Sequence, residues 1–202
     1  REHRFPFLEK VDNWNRFNEN TGGTLVEKCC HFFDLMNLIV PSKPIKVYAS
    51  GGQDVNHLDE KYDGKTPDII DNSFVIVDYQ DGQRAMLDLC MFAEAGKYEQ
   101  EIVLTGDQGK LETHIPGNEL LLTNRKNYSL KTIEVKDDPR VKEVGFHHGA
   151  SYIEHLELID CIKNKKKPLV DCQKGLDSII LGLAAQESIQ TGEPVFLENF
   201  LN

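Results

Sequence analysis

The sequence has no C-x-x-C pair, although it contains five cysteines. Zinc ribbons and thioredoxin-type redox sites depend on that spacing, so neither class is supported. Cys29, Cys30, Cys90 and Cys161 lie inside apolar segments, where a free cysteine behaves as a small hydrophobic residue. Unpaired thiols are typical of a reducing compartment, and we therefore expect a cytoplasmic protein.

Positive charge is scarce. Lys and Arg total 23 against 33 Asp and Glu, which gives a formal net charge of −10 at pH 7. Since an acidic surface repels phosphate groups, we expect no binding to nucleic acid and none to an anionic membrane. A long apolar run and a recognisable signal peptide are also missing. The sequence begins at Arg1 without an initiator Met, and we interpret it as part of a longer chain.

The 202 residues, 40% of them hydrophobic, are enough for one ordinary domain, which we place at residues 1–202. Short strand-like segments between residues 73 and 135 alternate with Gly-containing turns, which predicts an antiparallel or mixed meander. Apolar periodicity predicts helices over residues 24–40, 150–164 and 176–191. This order predicts an α+β fold, in which a large, mostly antiparallel (mixed) open-faced sheet has helices packed on one face.

The predicted first helix contains polar residues at helical spacing. Glu27 and His31 are four residues apart and would share a face, with Asp34 one turn further along. A carboxylate beside an imidazole raises its basicity, which suits a proton acceptor working near neutral pH. The alternative is structural: Glu27 caps the helix and His31 is a hydrogen-bonded core residue.

A second polar group precedes the predicted helix at residue 150. His147 and His148 come directly before Gly149, where side chains at a helix start can reach a polar ligand. A surface loop with two hydrogen-bonding imidazoles explains the same residues. Metal binding by Glu27, His31, His147 and His148 is a further alternative, although no H-E-x-x-H or H-x-H spacing supports it.

Several segments, in this order, resemble the C-terminal domain of the Gfo/Idh/MocA family, the NAD(P)-dependent sugar and polyol oxidoreductases. The first is Gly22-Gly23-x-Leu25-x-Glu27-x-x-x-His31-x-x-Asp34. The segment 98–106 resembles the Tyr-to-Gly strand of that domain, and 145–195 resembles its two closing helices. The resemblance extends over nearly the whole chain. One residue departs from the pattern, because the family usually has Asp where this chain has Glu27.

The resemblance implies roles for particular residues. His31 would accept or relay the proton of a substrate hydroxyl while the carbon gives hydride to nicotinamide, and Glu27 would orient His31. The candidates for binding the oxygens of a sugar or polyol substrate are Arg16, Tyr98, His148 and Tyr152. The cofactor, NAD or NADP, would be bound mainly by an N-terminal Rossmann domain. Its G-x-G-x-x-G loop and Glu-Lys-Pro motif do not occur in this sequence.

The family resemblance also implies a homodimer or homotetramer formed through one face of the sheet. Both faces of the predicted strands are apolar. One face would contain Val75, Val77, Leu87, Leu89 and Met91, and the other Phe74, Ile76, Met86, Cys90 and Phe92. An exposed apolar face normally marks an interface. Two alternatives remain: a non-catalytic binding or assembly module of the same fold, and a metal-dependent sugar-modifying enzyme.

Overall fold

A computed structural model describes residues 1–200. The helices are α1 (Asn18–Thr21), α2 (Thr24–Glu27), α3 (Cys30–Ile39), α4 (Ala150–Asn164) and α5 (Cys172–Thr191). The strands are β1 (Glu2–His3), β2 (Pro44–Gly52), β3 (Asn72–Tyr79), β4 (Arg84–Cys90), β5 (Gln100–Thr105), β6 (Gly109–Ile115), β7 (Glu119–Asn124), β8 (Ser129–Glu134) and β9 (Val195–Phe196). Short 3₁₀ helices cover Val11–Arg16 and Leu197–Asn199. No helix within residues 1–200 has the length and apolar content needed to cross a membrane.

The described chain divides into two compact units. The larger unit comprises Glu2–Gly96 and the chain from Cys172 onward, and the smaller comprises Arg1 and Lys97–Asp171. In the larger unit the strand order is β1-β4-β3-β2-β9. Strand β1 pairs with β4 in parallel, whereas β4–β3, β3–β2 and β2–β9 are antiparallel. The sheet is therefore mixed and mostly antiparallel, as the sequence predicts.

One face of this sheet forms the core of the larger unit. Val75 and Val77 of β3 are fully buried, and Leu87 and Leu89 of β4 are almost so. They belong to one cluster with helix residues such as Leu25, Phe33 and Leu181. Side chains of the opposite parity stay exposed, including Phe74, Ile76 and Met86. Period-2 alternation thus places one apolar set against the helices and leaves the other uncovered.

Helix α5 packs against α2, α3 and β2. At Gly182 of α5, an added Cβ would lie 2.6 Å from the carbonyl oxygen of Leu25 in α2. The glycine at this position lets the two helices touch through their backbones. Helix α5 begins at Cys172, four residues before the predicted start at Leu176.

The smaller unit is an antiparallel meander of β5–β8 followed by α4. Its helix spans Ala150–Asn164, as predicted, with Gly149 as N-cap at φ 86° and Lys165 as C-cap in the left-handed region. The apolar residues that predict this helix are not buried in the smaller unit. Ile162, for example, is 69% exposed. Helical periodicity therefore predicts the helix correctly, although the apolar side chains that carry this pattern are not in a core.

Candidate functional site

The predicted helix over residues 24–40 is interrupted in its first half. Helix α2 ends at Glu27 and α3 begins at Cys30. Cys29 has φ −105° and ψ −4°, and its carbonyl oxygen accepts hydrogen bonds from both Phe32 N (2.9 Å) and Phe33 N (3.1 Å). Apolar spacing alone predicts one continuous helix, and that prediction is wrong at Lys28 and Cys29.

Thr24 does not cap this helix through its side chain. The N-cap position is Gly23, and the Thr24 hydroxyl instead donates to the carbonyl oxygen of Ile70 at 2.6 Å. Gly23 has φ 90°, and a Cβ there would overlap the side-chain amide of Gln186, which donates to the carbonyl oxygen of Gly22. Gly22 and Gly23 therefore form a tight turn that packs against α5.

Glu27 lies at the C-terminal end of α2. Its Oε1 accepts a hydrogen bond from Nζ of Lys10 at 2.9 Å. The Lys10 ammonium also lies 4.8 Å from the centroid of the Trp14 ring. The Glu27 side chain is 19% exposed, so this carboxylate is partly shielded from solvent and has a cationic neighbour.

His31 lies in the first turn of α3 and is exposed. Its ring centroid is 4.2 Å from that of Phe32. This exposure contradicts the alternative that His31 is a core residue. The adjacent Cys30 is a poor nucleophile, because burial raises the pKa of its thiol and keeps it protonated at neutral pH.

Arg16 is 4% exposed and belongs to a polar cluster that the sequence does not predict. We call Arg16, His57, Glu60 and Tyr62 the Glu60 cluster. Oε2 of Glu60 accepts from Nε of Arg16 at 3.0 Å and from the Tyr62 hydroxyl at 2.8 Å. Oε1 lies 2.7 Å from Nδ1 of His57. Partial burial opposes ionisation of Glu60, but the bonds from His57, Tyr62 and Arg16 outweigh it and lower its pKa to about 2.

The loop between β2 and β3 that contains His57, Glu60 and Tyr62 is fastened at its end by Asp71. This carboxylate, 3% exposed, accepts from the backbone N–H groups of Asp54, Val55 and Asn56, the last at 2.7 Å. Burial raises the pKa of Asp71, but the amide bonds outweigh that effect and hold it below its usual range. The one sequence signal for this site was the length and polarity of the loop.

The remaining candidates lie in the smaller unit. Tyr98 stacks on His114 with ring centroids 4.4 Å apart and is partly buried. His148 has φ 51° and is exposed, in the turn before α4. Tyr152 lines an open cavity of about 480 Å³. The other residues that line it include Phe146, His147, Ser151 and His155. Nδ1 of His147 is 3.0 Å from the Ser151 hydroxyl oxygen.

The larger unit thus contains Arg16, Glu27 and His31, and the smaller contains Tyr98, His148 and Tyr152. The positions of the residues in each group are described only within their own unit. Across the described part of the chain, no set of three or more His, Cys, Asp or Glu side chains is arranged to hold a metal ion.

Known proteins share this fold and sequence pattern. The chain is 25% identical over 185 residues to the myo-inositol 2-dehydrogenase of Thermotoga maritima, covering 90% of this chain and 51% of that protein. An oxidoreductase from Agrobacterium radiobacter, solved in complex with NAD⁺, L-tartaric acid and magnesium, matches with a TM-score of 0.69 and 15% identity, over 98% of this chain and 55% of that chain. The aldose-aldose oxidoreductase of Caulobacter crescentus, solved with glycerol, matches with a TM-score of 0.71 and 14% identity, over 96% and 53%.

The chain therefore spans about half the length of the relatives that it matches. Residues 1–197 match the family described as the oxidoreductase family, C-terminal alpha/beta domain. The predicted α+β class and the family resemblance are both confirmed. The chain belongs to the Gfo/Idh/MocA oxidoreductase family, of which it forms the C-terminal alpha/beta domain.

Proposed function

We propose that this chain is the substrate-binding half of an enzyme that oxidises a sugar or polyol hydroxyl with NAD or NADP, and that His31 accepts the hydroxyl proton. The observation that supports this most directly is the exposed imidazole of His31 just after the break between α2 and α3. The relatives named as an inositol dehydrogenase and an aldose oxidoreductase support the substrate class.

The proposed chemistry needs a base beside the reacting carbon. As hydride leaves the carbinol carbon, the hydroxyl becomes acidic, and a positioned imidazole removes its proton. We propose that Glu27, at the end of α2, orients His31. The partner that the structure gives the Glu27 carboxylate is the Lys10 ammonium, with atoms 2.9 Å apart.

The glycine pair before α2 does not fit a phosphate-binding loop. A phosphate-binding loop needs glycines that open a helix towards the ligand. Gly23 instead packs against Gln186, whose amide donates to the carbonyl oxygen of Gly22, and the helix they precede has only four residues. In this proposal nicotinamide, which would supply the hydride acceptor, is held mainly by an N-terminal domain, as the family resemblance implies.

We also propose that the exposed face of the β2–β3–β4 sheet joins two copies of the protein. Its apolar side chains include Tyr48 (41% exposed), Phe74 (59%), Ile76 (42%) and Met86 (62%). Burying such a patch contributes on the order of 25 cal/mol per Å² of apolar area. The five free cysteines are compatible with a cytoplasmic location for this assembly.

A direct assay tests the oxidoreductase proposal. The natural full-length protein is incubated with NAD or NADP and a panel of cyclic polyols, aldoses and sugar acids, and reduced nicotinamide is followed by absorbance. Turnover of a sugar or polyol is the expected result. A full-length protein that binds nicotinamide but oxidises none of these compounds would favour a non-catalytic assembly module.

A further inference from the structure

We propose that the Glu60 cluster recognises the hydroxyl groups of a neutral polyhydroxylated ligand, and so selects neutral sugars or polyols over sugar acids. This inference deepens the proposed function by naming its substrate class. It assigns specificity to His57, Glu60 and Tyr62, which lie in the loop between β2 and β3 and outside the α2–α3 segment that contains Glu27 and His31.

The hydrogen bonds of Glu60 leave it able to accept one more donor. A carboxylate offers about four lone-pair positions. Arg16 and Tyr62 occupy two on Oε2, and His57 occupies one on Oε1. The Glu60 side chain is 35% exposed, so the remaining position can meet a ligand hydroxyl.

Two donors in the cluster also have unused capacity. Nη1 of Arg16 is buried and has no hydrogen-bond partner among the described residues. An unpaired charged donor is costly to bury, so an entering oxygen gains more there than in water. His57 is bonded through Nδ1, which leaves its second ring nitrogen to donate or accept. A hydroxyl group, which both donates and accepts, matches this mixed set.

An exposed ion pair also lies beside the loop that contains the cluster. The loop is fastened near the cluster by Lys65 and Glu19, whose side chains are 64% and 62% exposed and whose charged atoms lie 2.9 Å apart. Exposed pairs of this kind contribute little to stability and rearrange easily. His57 has φ 62°, a backbone conformation that is uncommon outside glycine and that is enriched at ligand-binding loops.

Charge explains the preference for neutral ligands. Glu60 stays ionised at neutral pH, because the bonds from His57, Tyr62 and Arg16 keep its pKa near 2. Its negative charge compensates the Arg16 guanidinium, and it would repel a ligand carboxylate at the same place. An ion pair that only holds the loop in place would account for the contact between Arg16 and Glu60. It would not require His57 and Tyr62 to bond to the same carboxylate.

The test measures binding directly, by calorimetry on the full-length protein with myo-inositol, D-glucose and D-glucuronate. D-glucose and D-glucuronate have the same sugar ring, and only glucuronate has a carboxylate. We expect a neutral compound to bind more tightly than glucuronate. Glu60→Gln should weaken neutral binding by about 10-fold or more, the value of one hydrogen bond to a charged group. Tyr62→Phe, which removes one hydroxyl, should weaken it about 3-fold or more and serves if Glu60→Gln does not fold.

Glu19→Gln is the matched control, since it breaks the neighbouring ion pair without touching the cluster, and its affinity should stay within about 2-fold of the wild type. The inference is overturned if none of the three compounds binds, if glucuronate binds most tightly, or if the cluster variants bind like Glu19→Gln. Binding without turnover would retain this inference and refute the oxidoreductase proposal instead. His31→Ala should abolish turnover while binding persists.

Discussion

Oε1 of Glu2 lies 3.3 Å from Nζ of Lys28, and the Glu2 side chain is completely buried. Nη1 of Arg4 approaches the same oxygen at 3.4 Å, while Oε2 of Glu2 has no partner among the described residues. This contact joins β1 to the residue that follows α2. It places a buried carboxylate beside Lys28, within the interruption between Glu27 and Cys30.

Glu2→Gln should destabilise the protein by about 3 kcal/mol, because it leaves the mostly buried Lys28 and Arg4 without their counter-charge. Urea unfolding at pH 7 measures this. Glu19→Gln removes one partner of an exposed pair and should cost much less than Glu2→Gln. Equal losses in the two variants would mean that the Glu2 contact does not stabilise the helix interruption.

His31→Ala in the full-length enzyme should lower kcat by about 10²–10⁴-fold while the melting temperature changes little, as for the loss of a general base. Leu38→Ala is the control, since Leu38 is on the same helix and 60% exposed. It should leave kcat unchanged. A structural role for His31 would show the reverse, with a lower melting temperature and an unchanged kcat.

Glu27→Gln should reduce kcat less than His31→Ala and should shift the apparent pKa of the pH–rate profile downward. The reason is that the variant keeps a hydrogen-bond acceptor but loses the charge that favours imidazolium. Steady-state rates between pH 5 and 9 would measure the shift. A profile identical to that of the wild type would remove Glu27 from the mechanism.

Glu60 should make stability depend on pH in acid. Its pKa falls from an ordinary 4.5 to about 2 in the folded protein, so its contribution is complete above about pH 4.5 and is lost as pH falls towards 2. Because the side chain is 35% exposed, we expect only about 1 kcal/mol after solvent screening. Denaturation series at pH 6 and pH 3 should show that loss in the wild type and not in Glu60→Gln. Parallel pH dependence of the two proteins would contradict the assignment.

Gly182→Ala and Gly175→Ala form a matched pair within α5. A Cβ at Gly182 meets the Leu25 carbonyl at 2.6 Å, so the variant should be less stable by about 1–3 kcal/mol. A Cβ at Gly175 meets nothing within 4 Å, and Ala there should stabilise the helix by about 0.5–1 kcal/mol. Thermal unfolding compares the two. Opposite signs are expected, and stabilisation by both would refute the close backbone contact.

Phe74→Glu should weaken self-association of the full-length protein, because it places a charge in the centre of the exposed sheet face. Sedimentation velocity at micromolar concentration should show a dimer or tetramer for the wild type and smaller species for the variant. Tyr128→Glu is the control, with a Tyr128 side chain that is 93% exposed in a turn. A wild type that stays monomeric at all concentrations would end the assembly proposal.

Local sequence was enough to predict the strand meander between residues 73 and 135, the bounds of α4 and the α+β class. Turn glycines and apolar periodicity act over a few residues, so their physics can be seen in the sequence itself. The family pattern around Glu27 and His31 was visible for the same reason. Alternation along β3 and β4 showed two apolar faces. Only packing against α3 and α5 decided that Val75 is buried and Phe74 exposed.

Tertiary structure alone decided the two features on which the site depends. The break at Lys28 and Cys29 lies in a sequence whose apolar spacing is continuous. The buried Glu2 carboxylate that contacts Lys28 comes from strand β1. Likewise, Arg16 and Glu60 are 44 residues apart, and no periodicity links them. Charge pairing between distant segments leaves no local pattern, because its energy depends on burial and on distances that exist only after the chain has folded.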